Sequence, residues 1–260
     1  MKTISNTSSK PTVAVATLAL FLALTAQAAT FTLNPSADAF VTTGPTANLS
    51  GNNYGGAGAL SVAAPGLSQG QFQSVMRFDL SGARTSFDTQ FGAGQWSIQS
   101  ITLQLTATGP NNGIFNSSAA GQFGISWMQN GPWAEGSGTP QSPTTTGITY
   151  NSLTGTYIGA GDESLGTFSF GGGTSGNDTY SLALTSGFDA DATAGNLVSF
   201  RLFAADSAVS YLFDSRSFGT TTFRPLMTVT AVPEPGSLAL GLAALAVVAG
   251  RKLLTRTNRS

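Results

Sequence analysis

The chain has 260 residues, no histidine and no cysteine, and only 9% of it is Asp, Glu, Lys or Arg, for a formal net charge of −1. Without imidazole or thiol it cannot build a Ser-His-Asp or Cys-His arrangement, the usual zinc site or a disulfide framework. Stability must therefore come from a hydrophobic core, for which about 200 residues suffice.

In chain order, Lys2 and Lys10 precede the apolar run Val13 to Leu24, and Ala26-Gln27-Ala28 supplies small residues at a cleavage position. Residues 1–28 thus read as a secretory signal peptide, and the mature body is expected to begin near Ala29, outside the cytoplasm. That body, residues 29–231, carries five arginines (Arg77, Arg84, Arg201, Arg216, Arg224), no lysine and eleven acids, a net charge near −6. Such a surface excludes a nucleic-acid partner, which would need a basic face against phosphate. It also disfavours purely electrostatic capture of an acidic polysaccharide.

Apolar residues in the body alternate with period two: Met76, Phe78 and Leu80; Ile101, Leu103 and Leu105; Val198, Phe200 and Leu202. Each run predicts a strand with one face in the core. Further strands are expected over Ala37–Thr42, Leu60–Ala64, Gly121–Met128, Ser164–Phe170, Thr179–Leu184, Val209–Ser215 and Pro225–Thr230. About ten strands, with one short helix after an N-cap at Ser81 (Gly82 to Phe91), predict a single all-β domain, a jelly-roll-like β-sandwich. Residues 136–147 and 171–178 are rich in Gly, Ser, Thr and Pro and read as surface loops.

The C-terminal segment 232–260 opens with Val232, Pro233, Glu234 and Pro235, then runs through the small apolar stretch Leu238 to Gly250 to Arg251, Lys252, Arg256 and Arg259. Two prolines around one acid keep Val232 to Glu234 extended and exposed, and Pro235 suits the first position of a helix. From Pro235 to Leu254 is 20 residues, about 30 Å of helix, enough to cross a bilayer core if Arg251 and Lys252 snorkel. One short transmembrane helix with a cytoplasmic basic end is expected. This order of Pro-Glu-Pro, apolar helix and basic end resembles the PEP-CTERM sorting signal of Gram-negative bacteria that secrete exopolysaccharide. The resemblance implies an exosortase-type processing enzyme as partner, transient anchoring in the inner membrane, and delivery to the cell surface or extracellular matrix.

The chemistry left to the body is that of acids and aromatic rings. Glycosidase-like carboxylate pairs would have to come from Glu135 with Asp162 or Glu163, or from Asp206 with Asp214, but nothing local sets one of these acids in an apolar pocket. The body therefore reads as non-enzymatic. No organic cofactor is expected; Asp189 and Asp191 are the candidate ligands for calcium, with an exposed acidic turn as the ordinary account. For sugars, ring faces matter most, because they stack on apolar sugar faces while neighbouring polar groups meet hydroxyls. Trp133 in a Gly/Pro loop, Tyr54 in Asn52-Asn53-Tyr54-Gly55-Gly56, and Tyr150 after the polar loop are candidates, whereas Trp127, in period with Ile125, reads as core. Arg216 and Arg224 flank a Ser/Thr/Gly loop and complete the candidate set. Arg77 and Arg201 read as outer-face residues, ion-paired with Asp79 or another acid.

The segments around Asn52 to Gly56, Val75-Met76-Arg77-Phe78-Asp79-Leu80-Ser81, Ile101 to Leu105, Trp133-Ala134-Glu135, Ile148-Thr149-Tyr150, Phe213-Asp214-Ser215-Arg216 and Arg224-Pro225-Leu226 together resemble a DNRLRE-type domain. That family is similar to jelly-roll carbohydrate-binding modules. Here 136–147 is longer than the family's loop, and Tyr150 stands where tryptophan is common. The expectation is an exported protein that binds extracellular polysaccharide; the alternative is a structural matrix protein that self-associates through exposed edge strands without specific sugar binding.

Overall fold

The period-two runs become two antiparallel sheets. The computed structural model describes residues 27–110, 113–234 and 236; the expected signal peptide, apart from its last two residues, and the expected transmembrane helix, apart from Gly236, lie outside these. Among the described residues, no helix is long and apolar enough to cross a membrane.

The strands are β1 (Ala29–Leu33), β2 (Ala37–Thr42), β3 (Ala59–Ala63), β4 (Phe72–Asp79), β5 (Trp96–Thr106), β6 (Gly121–Trp127), β7 (Glu163–Phe170), β8 (Asn177–Leu182), β9 (Leu197–Ala204), β10 (Ser210–Asp214) and β11 (Leu226–Pro233). The smaller sheet runs β1-β11-β5-β8, and the larger runs β10-β3-β4-β9-β6-β7 with β2 also paired to β4. Residues 29–231 form one compact unit. Its two ends pair, Ala29 facing Ala231 and Leu33 facing Met227 across β1 and β11. β11 carries Val232 and Pro233 to its end, half-buried and extended, and Glu234 after them is exposed.

All-β sandwich architecture follows from the inner faces. Phe123 on β6 meets Tyr180 on β8 edge-to-face, 5.1 Å between centroids, and stacks obliquely on Tyr211 of β10 at 5.5 Å. Such aromatic pairs contribute about 1 kcal/mol each beyond the apolar area they bury. Phe78 and Phe200, on neighbouring β4 and β9, are both fully buried, as their alternation requires.

One part of the larger sheet departs from simple alternation, since every residue of β2 is buried. Ala37, Ala39, Val41 and Val75 on the outer face form a second cluster with Met128, Trp133, Ile148 and Leu153. The long segment between β6 and β7 therefore lies across the outside of the sheet, which is covered on both faces there.

Helix α1 (Ser81–Phe91) occupies the expected position, but its N-cap is Leu80 and no side chain caps it. Ser81 is inside the helix, and its amide donates to Asp79 Oδ1 of the preceding turn at 3.0 Å. Two further helical segments go beyond the one short helix expected. Helix α2 (Tyr150–Ser152), capped by a reciprocal Thr149–Ser152 box, continues as a π turn over Leu153–Tyr157. Helix α3 (Ser186–Ala194) contains Asp189 and Asp191, so the expected acidic turn is helical, with Phe188 packed edge-on against Phe200 at 5.3 Å.

Candidate functional site

Three connections converge beside the ends of β2 and β10: residues 52–58 before β3, residues 133–142 after β6, and residues 214–218 after β10. Asn53 ties the first two together. Fully buried, its Nδ2 donates to the carbonyls of Glu135 (2.7 Å) and Ile148 (2.8 Å), while its Oδ1 accepts the amides of Gly55 and Gly138, both at 3.2 Å. Glycine is required at Gly136, whose positive φ of 77° comes with Asn53 Oδ1 where a Cβ would stand. A polar residue in a Gly-rich stretch has thereby become a fastener, because a buried amide that satisfies all its bonds replaces water without loss.

Glu135 joins the third connection. Its carboxylate accepts a forked pair of bonds from the Arg216 guanidinium (Nε to Oε1, 2.5 Å) and the Asp38 amide at 2.8 Å. The Asp38 carboxylate takes the Arg216 amide at 2.7 Å, yet its Oδ1 is buried without a partner. Burial, reinforced by the Glu135 charge, raises the Asp38 pKa to about 7 despite the Arg216 amide and the Arg216 and Arg224 charges, so this acid holds a proton over much of the range below neutrality. Arg224 donates to the Phe218 carbonyl at 2.9 Å and holds the same turn.

Next to this node lies a cavity of about 170 Å³ lined by Ala57, Gly58, Thr108, Phe115, Gln141, Asp214 and Phe218, with Ala59 and Pro140 completing its wall. Asp214 ends β10 and is only 2% exposed. The Thr108 hydroxyl hydrogen-bonds its carboxylate, but Oδ1 has no partner, and burial lifts the pKa to about 6. An unpaired buried polar atom costs about 1–3 kcal/mol, more when charged, so this oxygen is a local deficit in the fold.

The residues expected at a sugar site are distributed differently. Tyr54 is 1% exposed and stacked on Phe40 in the core, 4.4 Å between centroids and 9° between planes. Trp133 is 2% exposed; its indole donates to Ser199 Oγ at 3.1 Å, and Arg77 lies over its ring at 5.0 Å while donating to its carbonyl at 2.7 Å. Trp133 is covered because the segment that carries it folds back over the sheet and buries its own apolar residues, and Tyr54 because it packs in the inner core against Phe40; neither offers a stacking face. Tyr150 is half-buried and donates to Gln71 Oε1 at 2.7 Å. Arg216 and Arg224 do come together with Asp38 and Glu135, as structural partners rather than open cations.

The other sequence candidates are held separately. Glu163 accepts from Thr185 Oγ1 (2.6 Å), Ser186 Oγ, and the Gly187 and Phe188 amides at the start of α3, which holds its pKa below the usual carboxylate range. Asp206 accepts the Gln122, Ala208 and Val209 amides and is likewise depressed. Asp162 takes the Gln129 and Gly159 amides. Arg201 lies over Phe203 at 4.3 Å and donates to Gln73 at 2.7 Å, and no carboxylate pairs with it or with Arg77 among the described residues. Asp191 accepts from Asn196 at 2.9 Å, and among the described residues no three acids gather in a way that could hold a metal ion.

Sequence reasoning missed Asp38, Asn53 and the Asp214 cavity. A signal existed for Asp214, an acid in period with buried Leu212 at a strand end, but its apolar surroundings come from residues scattered between Ala57 and Phe218. No known protein-family model matches the chain, and no curated protein matches it.

Proposed function

We propose that this chain is an exported, non-enzymatic surface or matrix protein that binds extracellular polysaccharide through the Asp214 cavity of a jelly-roll-type sandwich. The single observation that carries the binding reading is the Asp214 carboxylate, buried and incompletely bonded in a small cavity beside Gln141, Thr108 and the Phe218 ring. A carboxylate, an amide, a hydroxyl and an aromatic side chain converging on one concavity are what a single sugar unit requires. The export reading rests on residues 1–28 and on Val232, Pro233, Glu234 and Pro235 with the apolar and basic residues behind them. In this reading an exosortase-type enzyme processes the tail after transient anchoring in the inner membrane.

Affinity electrophoresis of the full-length protein through gels holding different bacterial and plant polysaccharides tests binding. Selective retardation that disappears in Phe218→Ala, with unchanged circular dichroism, is the expected result. Migration unaltered in every gel refutes binding and favours the self-associating matrix role. Sorting is tested by changing Pro233 and Pro235 to Ala: the protein is expected to stay unprocessed in the membrane fraction, and release at the normal rate refutes the sorting assignment.

A further inference from the structure

We infer that the Asp214 cavity takes the ammonium group of an amine-bearing sugar unit, so that the polysaccharide bound is a cationic, free-amine glycan. The inference rests on the polysaccharide-binding reading and names its substrate class. Asp214 is 2% exposed, lines the cavity, and has a carboxylate oxygen without a hydrogen-bond partner. Nor does any cation form an ion pair with it among the described residues. The ion pairs among the described residues are Arg84 with Asp88 and Arg216 with Glu135, so the cation closest in sequence, two residues on, is engaged elsewhere.

The rest of the lining selects the kind of cation. Phe115 and Phe218 place two aromatic rings in the same small space, and ring faces attract organic cations by their quadrupole. Calcium requires six to eight oxygens and generally several carboxylates, whereas this cavity holds one acid. About 170 Å³ is less than a whole-ligand pocket and suits one group projecting from a longer chain, with Thr108 and Gln141 as further polar residues of the lining. The remainder of the body acts in the same direction, since eleven acids against five arginines create a field that draws a polycation inward and repels an acidic glycan.

Titration calorimetry on the full-length protein tests this with four probes: a glucosamine oligomer, its N-acetylated counterpart, a glucose oligomer of the same length, and calcium chloride. The free-amine oligomer is expected to bind about tenfold tighter or more than the N-acetylated one, with that preference abolished in Asp214→Asn. Phe218→Ala, at a partly exposed turn residue, is expected to weaken the free-amine oligomer selectively even if Asp214→Asn does not fold. Equal affinity for amine, N-acetyl and glucose oligomers overturns the cation assignment while leaving polysaccharide binding intact. Binding of calcium alone makes the cavity a metal site and overturns it as well. Silence from all four probes overturns the amine assignment, while polysaccharide binding itself stands or falls separately with retardation in the gel panel.

Discussion

Two acids near the β10–β11 turn show how differently one functional group behaves according to what surrounds it. Glu135 is enclosed by a guanidinium fork and a backbone amide, and its carboxylate locks three connections into one node. Asp214, two residues before the arginine that serves Glu135, has one hydroxyl partner and an empty-handed oxygen beside a cavity. The first has finished its bonding within the protein and is structural; the second has not, and it is the group on which the proposed binding rests. Asp38 stands between them, bonded on one oxygen and kept largely neutral below pH 7 by burial.

The comparison breaks most visibly if the node is emptied. Trp133→Ala should cost about 4 kcal/mol, as for other buried Trp or Phe truncations, read as a lower denaturation midpoint; a loss under 1 kcal/mol would mean the outer covering segment is not a cooperative part of the fold. Asn53→Ala should cost about 3 kcal/mol, because four backbone groups lose their partner in a dry site. A near-neutral result would show that water can enter and replace the amide.

Acid–base behaviour sharpens the contrast further. Burial pushes the folded pKa of Asp38 up to about 7, above the ordinary carboxylate value of 3.8. Its contribution to stability is thus fully present below pH 4 and is lost as the pH rises through 7. Asp38→Asn, which keeps an oxygen for the Arg216 amide, should raise stability at pH 8 by about 2 kcal/mol and leave it unchanged at pH 4. Thermal melts of both proteins at the two pH values check this, and equal gains at both would remove titration as the cause. The smallest effect belongs to the open side: Phe218→Ala should change stability by less than about 1 kcal/mol, so any loss of binding in that variant reports on the cavity and not on the fold.

Much of the sandwich was legible from alternation alone. Met76, Phe78, Val198, Phe200, Ile101 and Leu103 fall on the core face as their spacing required, and Trp127 is buried as its period with Ile125 implied. Helix α1 was legible too, apart from its cap. The short strand β1 was not, since Ala29–Leu33 is defined by pairing with β11, almost the whole chain away. Helix α3 escaped notice because Ser-Gly at its start and two acids in nine residues resemble a turn until Glu163 of a distant strand caps it.

The candidate site was legible only in its parts. Arg216 and Arg224 were read as flanking one loop, where they hold structural hydrogen bonds, and Tyr54 and Trp133 looked accessible because Gly, Asn and Pro surround them in sequence. What the sequence by itself determined was the two-layer body, its acid excess and the chemistries its missing histidine and cysteine exclude, since periodicity and composition are local properties of a chain. Only the tertiary structure decided which rings are covered and which carboxylate is left incomplete, because burial and hydrogen-bond completion depend on residues brought together from as far apart as Asp38 and Arg216.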